Sequence, residues 1–199
     1  MTLSKNISYA KPRNHAIDIM KGLTILLVIV GHEQRLPQWV IDSIYSFHMP
    51  LFFIVAGYFY KPSTEYTKRI AKDTKRLILP YLAVMLVVTA YIFIVHIVFK
   101  PGGDIVFWQS LWACLYPTNL RHHLDVARSV PVWFLLALFW CRQIYNFIYC
   151  SFKRTRYVWI IIISVGILLF NDFIRIDLPL AFSQGCSAMI FYFGGVCIE

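Results

Sequence analysis

Three residues near the start of this chain have side chains able to move protons or hold charge where apolar neighbours dominate. Asp18 and Lys21 lie inside the apolar stretch Ile17 to Gly31, and His32 follows it directly. Ionisable groups in hydrocarbon cost roughly 3 kcal/mol or more each, so they mark function by default. On a helix, Asp18 precedes Lys21 by about one turn and Lys21 precedes His32 by about three turns, or about 16 Å along the axis. All three therefore share roughly one stripe. A polar stripe on a membrane helix must face protein or a wet cavity. The imidazole of His32, with an unperturbed pKa of about 6.5, can accept and return a proton near neutral pH. The bland alternative is an interfacial histidine that ends a helix.

His48 lies in Phe47-His48-Met49-Pro50-Leu51-Phe52-Phe53. A histidine beside a proline in a membrane helix is doubly unusual. If the helix already runs there, Pro50 frees the carbonyl of Ser46. A short connector makes the first two spans antiparallel neighbours, which lets His48 approach His32; the alternative is a buried histidine bonded to a carbonyl. Gly57 on the same helix permits close packing. Between Tyr60 and Arg76 stand Lys61, Lys68, Arg69, Lys72, Lys75 and Arg76. Membrane topology and attraction to anionic lipid account for most of these cations. The sharper reading is a docking patch for a phosphorylated cytosolic donor, with Arg76, Arg69 and Lys75 meeting phosphate.

The elements that must position these residues are apolar helices. The chain of 199 residues is 59% hydrophobic and 15% charged, whereas soluble domains carry about a quarter charged residues. The expected fold is all-α: one polytopic transmembrane bundle over 1–199 with about six spans. They run near 16–34, 40–60, 77–99, 130–150, 157–171 and 178–198. Basic residues collect at the N-terminus, in 60–76 and at Lys153, Arg154 and Arg156, which puts the N-terminus in the cytoplasm. A net charge of +9 is thereby explained by topology, and nucleic acid is not expected as a partner. No cleavable signal peptide is evident. The stretch 105–116, with Trp108 and Trp112, is too short to span and is expected to lie in the outer interface or to re-enter.

Other residues carry less. Trp133 suits an interfacial aromatic belt. Arg142 sits near enough to the cytoplasmic end to snorkel. Gly185, Ser187, Gly194 and Gly195 read as helix-packing positions. Five dispersed cysteines read as small core residues. His122, His123 and Asp125 make a poor metal site, because adjacent histidines point to different faces of a helix, and no metal is expected.

Four segments in order carry a resemblance: Asp18-x-x-Lys21-Gly22 with Gly31-His32; Phe47 to Phe53 with Ala56-Gly57-Tyr58-Phe59; Lys75-Arg76-Leu77-x-x-Pro80-Tyr81; and Trp133-Phe134-Leu135. Together they resemble acyltransferase family 3, multi-pass membrane enzymes that O-acylate sugars of surface polysaccharides and related glycans. The resemblance implies an acyl-CoA donor, usually acetyl-CoA, and a glycan or lipid-linked sugar acceptor within a bacterial cytoplasmic membrane. It implies that His32 is the catalytic histidine and that Lys21 fills the basic position eleven residues before it. Asp18 and His48 join His32 as candidate catalytic residues, and Lys21, Arg76, Arg69 and Lys75 as candidate donor-binding residues. Ala56 stands where the family commonly has serine. Family members usually have more spans than the six counted here, so the chain is expected to be incomplete at its C-terminus. A proton-coupled transporter and a non-catalytic membrane assembly subunit are the competing classes.

Overall fold

The computed structural model describes residues 15–31, 36–99, 132–174 and 178–198. His32 and Arg35 fall outside them. So do the amphipathic stretch 105–116, His122, His123, Asp125, Cys114 and Arg175. The described residues form helices and no strands, as expected from the composition. In order they are α1 (His15–Gly31), α2 (Gln38–Tyr58), α3 (Tyr66–Asp73), a π-helical segment (Thr74–Ile78) and α4 (Leu79–Phe99). After these come α5 (Trp133–Ser151), α6 (Arg156–Ile174), a 3-10 turn (Pro179–Ala181), α7 (Phe182–Ser187) and α8 (Met189–Ile198).

Among the described residues, three helices are long and apolar enough to cross a membrane: 38–58, 66–95 and 156–173. A fourth crossing is available if the bent pair Pro179–Ser187 and Met189–Ile198, at 49° to each other, counts as one. The six crossings expected from the sequence are not shown by length and composition among the described residues. Helix α1 has 17 residues, about 26 Å against a hydrocarbon core of about 30 Å. Helix α5 carries Arg142, Gln143 and Asn146 in its middle, which lowers its apolar character below that of its neighbours. The expected third span also starts earlier: the basic connector is itself helical from Tyr66 onward.

The chain divides into two compact units, residues 1–48 and 49–199. In the first, α1 is amphipathic in an inverted sense. Ile17, Thr24 and Gly31 are buried along one stripe, while Ile19, Leu23, Leu26 and Ile29 are exposed. An apolar outer face is what lipid selects, since lipid rewards no polar surface. The hydroxyl of Thr24 donates to the carbonyl of Met20 at 2.6 Å, which satisfies it without a partner from outside the helix.

In the second unit, α5 is the central element. It packs against α7, α6, the π segment and the 3-10 turn. Leu136, Ala137, Cys141, Tyr145 and Ile148 line its buried side with Phe53, Tyr81, Met85, Ile160, Met189 and Tyr192. Two glycines allow the backbone of α2 to reach α8. A methyl group on Gly57 would overlap the carbonyl of Tyr192, and one on Gly195 would overlap the carbonyl of Ile54. At Gly185 it would stand 2.6 Å from the carbonyl of Ala137. Three of the expected close-packing positions thus are close-packed. Gly194 is not, for it faces open space, and Ser187 bonds within its own helix to the carbonyl of Ser183 at 2.9 Å. Leu180 and Ala181 take left-handed angles, φ 57° and 54°, a local cost of about 1–2 kcal/mol each at the turn into α7.

Candidate functional site

Asp18 and Lys21 are one turn apart on α1, and their charged atoms lie 4.0 Å apart. The side chains keep 35% and 43% of their surface respectively. Lys21 lies beside the buried stripe Ile17–Thr24–Gly31, while Asp18 stands further round the helix, near the exposed Ile25 and Ile29. The one-turn spacing brings the two groups into a pair without full burial. At that length and exposure the pair is worth little to stability. The third member of the stripe, His32, lies outside the described residues.

His48 is buried at 1% exposure, and its Nδ1 lies 2.7 Å from the carbonyl oxygen of Ile44, one turn back. A bond to that carbonyl requires the proton on Nδ1, which leaves Nε2 as the acceptor or second donor. Pro50 lies inside α2, so the helix already runs at Ser46, the condition on which that carbonyl is freed.

Three of the sequence segments meet in the second unit. Phe52, from the His48–Pro50 segment, stacks on Phe134, beside Trp133, with ring centroids 5.3 Å apart at 24°. Tyr81, which ends the Lys75–Tyr81 segment, is buried with Phe53 in the core of this unit. Pro80 is the second residue of α4, immediately after the π segment. The widened turn before it accommodates a residue that has no N–H to donate.

The basic connector is organised by α5 in a way the sequence did not disclose. Asp73, at 2% exposure, receives Arg142 and Gln143. Arg142 Nη2 is 3.0 Å from Asp73 Oδ1, and Arg142 Nε donates to Oδ2 at 3.1 Å. Gln143 Nε2 donates to Oδ2 at 2.8 Å. Arg69 approaches the same oxygen with Nε at 3.9 Å, donates from Nη1 to the carbonyl of Lys61 at 2.8 Å, and lies 5.2 Å over the ring of Tyr60. One turn further along α5, Asn146 clamps the loop. Its Oδ1 accepts from the Ser63 N–H at 3.0 Å and from the Tyr60 hydroxyl at 3.1 Å, and its Nδ2 donates to the Ser63 carbonyl at 2.8 Å. Burial pushes the Tyr60 phenol well above its ordinary range, with the Arg69 charge opposing; the hydroxyl stays protonated and donates.

Arg142 was expected to snorkel. The carboxylate of Asp73 holds it instead, because a fork-shaped pairing within reach is stronger than partial hydration. Arg69 is buried in the same cluster, whereas Lys72, Lys75 and Arg76 are exposed. Two guanidinium groups around one carboxylate leave the cluster with net positive charge. Among the described residues, Arg69 Nη2 and the Tyr192 hydroxyl are buried without a hydrogen-bond partner. The only local hint in the sequence was Asp73 itself, an acid in the middle of a basic run. No group of three histidine, cysteine or acidic residues suited to a metal ion occurs among the described residues.

The model of acyltransferase family 3, described as an acyltransferase domain, matches residues 14–198. The chain belongs to acyltransferase family 3. No curated protein and no solved structure matches it. Membership assigns this family 3 protein to acyl transfer as its class of reaction, and its apolar helices fit a membrane enzyme. The matched span contains α1 with Asp18 and Lys21, the His48–Pro50 segment, the basic connector and α5 with its clamp.

Proposed function

We propose that the protein is a membrane O-acyltransferase that moves an acyl group, acetyl from acetyl-CoA, to a sugar hydroxyl of a surface glycan or its lipid-linked precursor. The observation that carries this reading is the family match over residues 14–198. His32 is the reacting imidazole. As general base it takes the proton of the acceptor hydroxyl, the oxygen attacks the thioester carbonyl, the carbon–sulfur bond breaks, and the proton passes to the departing thiolate. In the covalent variant the imidazole first receives the acyl group and then yields it to the hydroxyl. Asp18 holds Lys21 by the pairing seen on α1, and His48, held by the Ile44 carbonyl, supports His32.

Lys21, Lys75 and Arg76 meet the phosphates of the donor, and Arg69 adds its charge from the buried side. The chain lies in the bacterial cytoplasmic membrane with its N-terminus in the cytoplasm, and α1, α5 and the bent pair over 179–198 add their crossings to those of the three long apolar helices. The helical separation of Lys21 from His32, about 16 Å, is comparable with the reach of a pantetheine arm. That span lets the donor enter from the cytoplasm and present its thioester further out. The test is acetyl transfer from labelled acetyl-CoA by membranes holding the protein. Label is expected in a glycan fraction with the wild type and not with His32→Ala; equal labelling by the two removes His32 from the chemistry.

A further inference from the structure

Among the described side chains of the helical run from α3 into α4, the buried ones are Arg69, Asp73, Tyr81 and Met85. Their separations are all multiples of four. In an unbroken α-helix, sixteen residues at such spacing drift by about 160° around the axis, which would carry Met85 to the side opposite Arg69. The π segment Thr74–Ile78 places one extra residue in the turn and takes back about 100° of that drift. The buried positions therefore stay on one side of the run, and Asp73 and Tyr81 are both held inside the second unit. Lys72, Lys75 and Arg76, three and four residues apart, are left exposed on the other side.

What fixes this arrangement is Asp73. It sits immediately before the π segment, and three atoms of α5 donate to it: Arg142 Nε, Arg142 Nη2 and Gln143 Nε2, at 2.8 to 3.1 Å. A carboxylate held in two directions by a guanidinium fork and an amide cannot rotate about the helix axis without breaking a charged hydrogen bond. Asn146 fixes the chain on the other side of α3 by its paired bonds to Ser63. The connector is thus gripped at Ser63 and again at Asp73, both times by α5.

We infer that Asp73, with Arg142 and Gln143, is a positioning residue for the acyl donor: the clamp sets the rotation of the helix at the π turn and so aims Lys72, Lys75 and Arg76 together at the donor's phosphate groups. The inference rests on the donor assignment made above. It adds to that assignment residues that touch no substrate, and Lys72 as a phosphate-facing cation of the connector beside Lys75 and Arg76. It separates two basic groups of the connector: Arg69 belongs to the clamp, and Lys72, Lys75 and Arg76 to the ligand.

The test is steady-state acetyl transfer by the purified full-length protein, with rates taken per folded molecule and KM for acetyl-CoA measured at several salt concentrations. For Asp73→Asn, KM is expected to rise at least about tenfold, the loss of a charged hydrogen bond. Its salt dependence should flatten while kcat holds. Gln143→Leu removes one neutral donor and leaves both charges, so it keeps the test open if Asp73→Asn fails to fold; its KM should move in the same direction by less. Asp73→Glu should recover part of the loss. A fall in kcat with KM and its salt dependence unchanged in both variants overturns the inference and leaves the acyltransferase reading intact. Absence of acetyl-CoA-dependent transfer by the wild type overturns the donor assignment, and the inference with it.

Discussion

Two pairs of opposite charge stand in this protein in opposite conditions. Asp18 and Lys21 on α1 are 4.0 Å apart, neighbours on one helix and partly exposed. Asp73 and Arg142 join two helices, 69 residues apart in sequence, at 3.0 and 3.1 Å, with the carboxylate buried and a second donor from Gln143. The first pair is cheap to open, because its charged atoms are 4.0 Å apart and both side chains are partly exposed. The second is costly to open, because either partner left alone is an uncompensated charge away from water. A ligand can be met by the first without loss of fold; the second serves to hold elements in place. Proximity of charges to apolar helices thus does not by itself locate chemistry. Burial and the geometry of the pairing separate an exposed pair from a structural one.

The widest gap should come from His32→Ala, with transfer falling by about 10²- to 10⁴-fold and the unfolding temperature in detergent unchanged. An unfolding temperature that drops with activity would move His32 to the structural side of the comparison. Next, Asp73→Asn should cost about 3 kcal/mol of stability, while Asp18→Asn costs less than about 0.5 kcal/mol yet lowers transfer. Equal losses of stability in denaturant titrations would erase the distinction between the pairs. Asn146→Ala strips Ser63 and Tyr60 of their shared partner and should cost about 2 kcal/mol, with faster proteolysis of the 59–65 loop. The smallest effect belongs to Lys68→Ala. Its pair with Glu65 at 3.0 Å is mostly exposed, so stability should stay within about 0.5 kcal/mol and transfer should not move; a clear loss of transfer would extend the donor patch to Lys68.

Several features were legible in the sequence because their causes are local. The apolar runs foretold helices, the Asp18–Lys21 pairing followed from one-turn spacing, and Gly57, Gly185 and Gly195 were marked as close-packing sites. The basic connector was read as charge between spans, and its helical structure was missed because charge density says nothing of helix register. Arg142 was judged by its distance from a helix end, which is the wrong measure when an acid comes within 3 Å of it. Asn146 carried no signal at all: an amide in an apolar helix acquires meaning only from the loop it meets.

The sequence by itself settled the helical class, the family motifs and their order, and where cations collect, since apolar periodicity and residue type act within a few turns of chain. The tertiary structure alone decided that Arg69 and Arg142 converge on Asp73, that Asn146 grips Ser63, and that a π turn holds the buried positions of the third helical run on one side. Those outcomes depend on which distant helix supplies the hydrogen-bond partner, and a buried charge takes whatever partner the packing brings within reach.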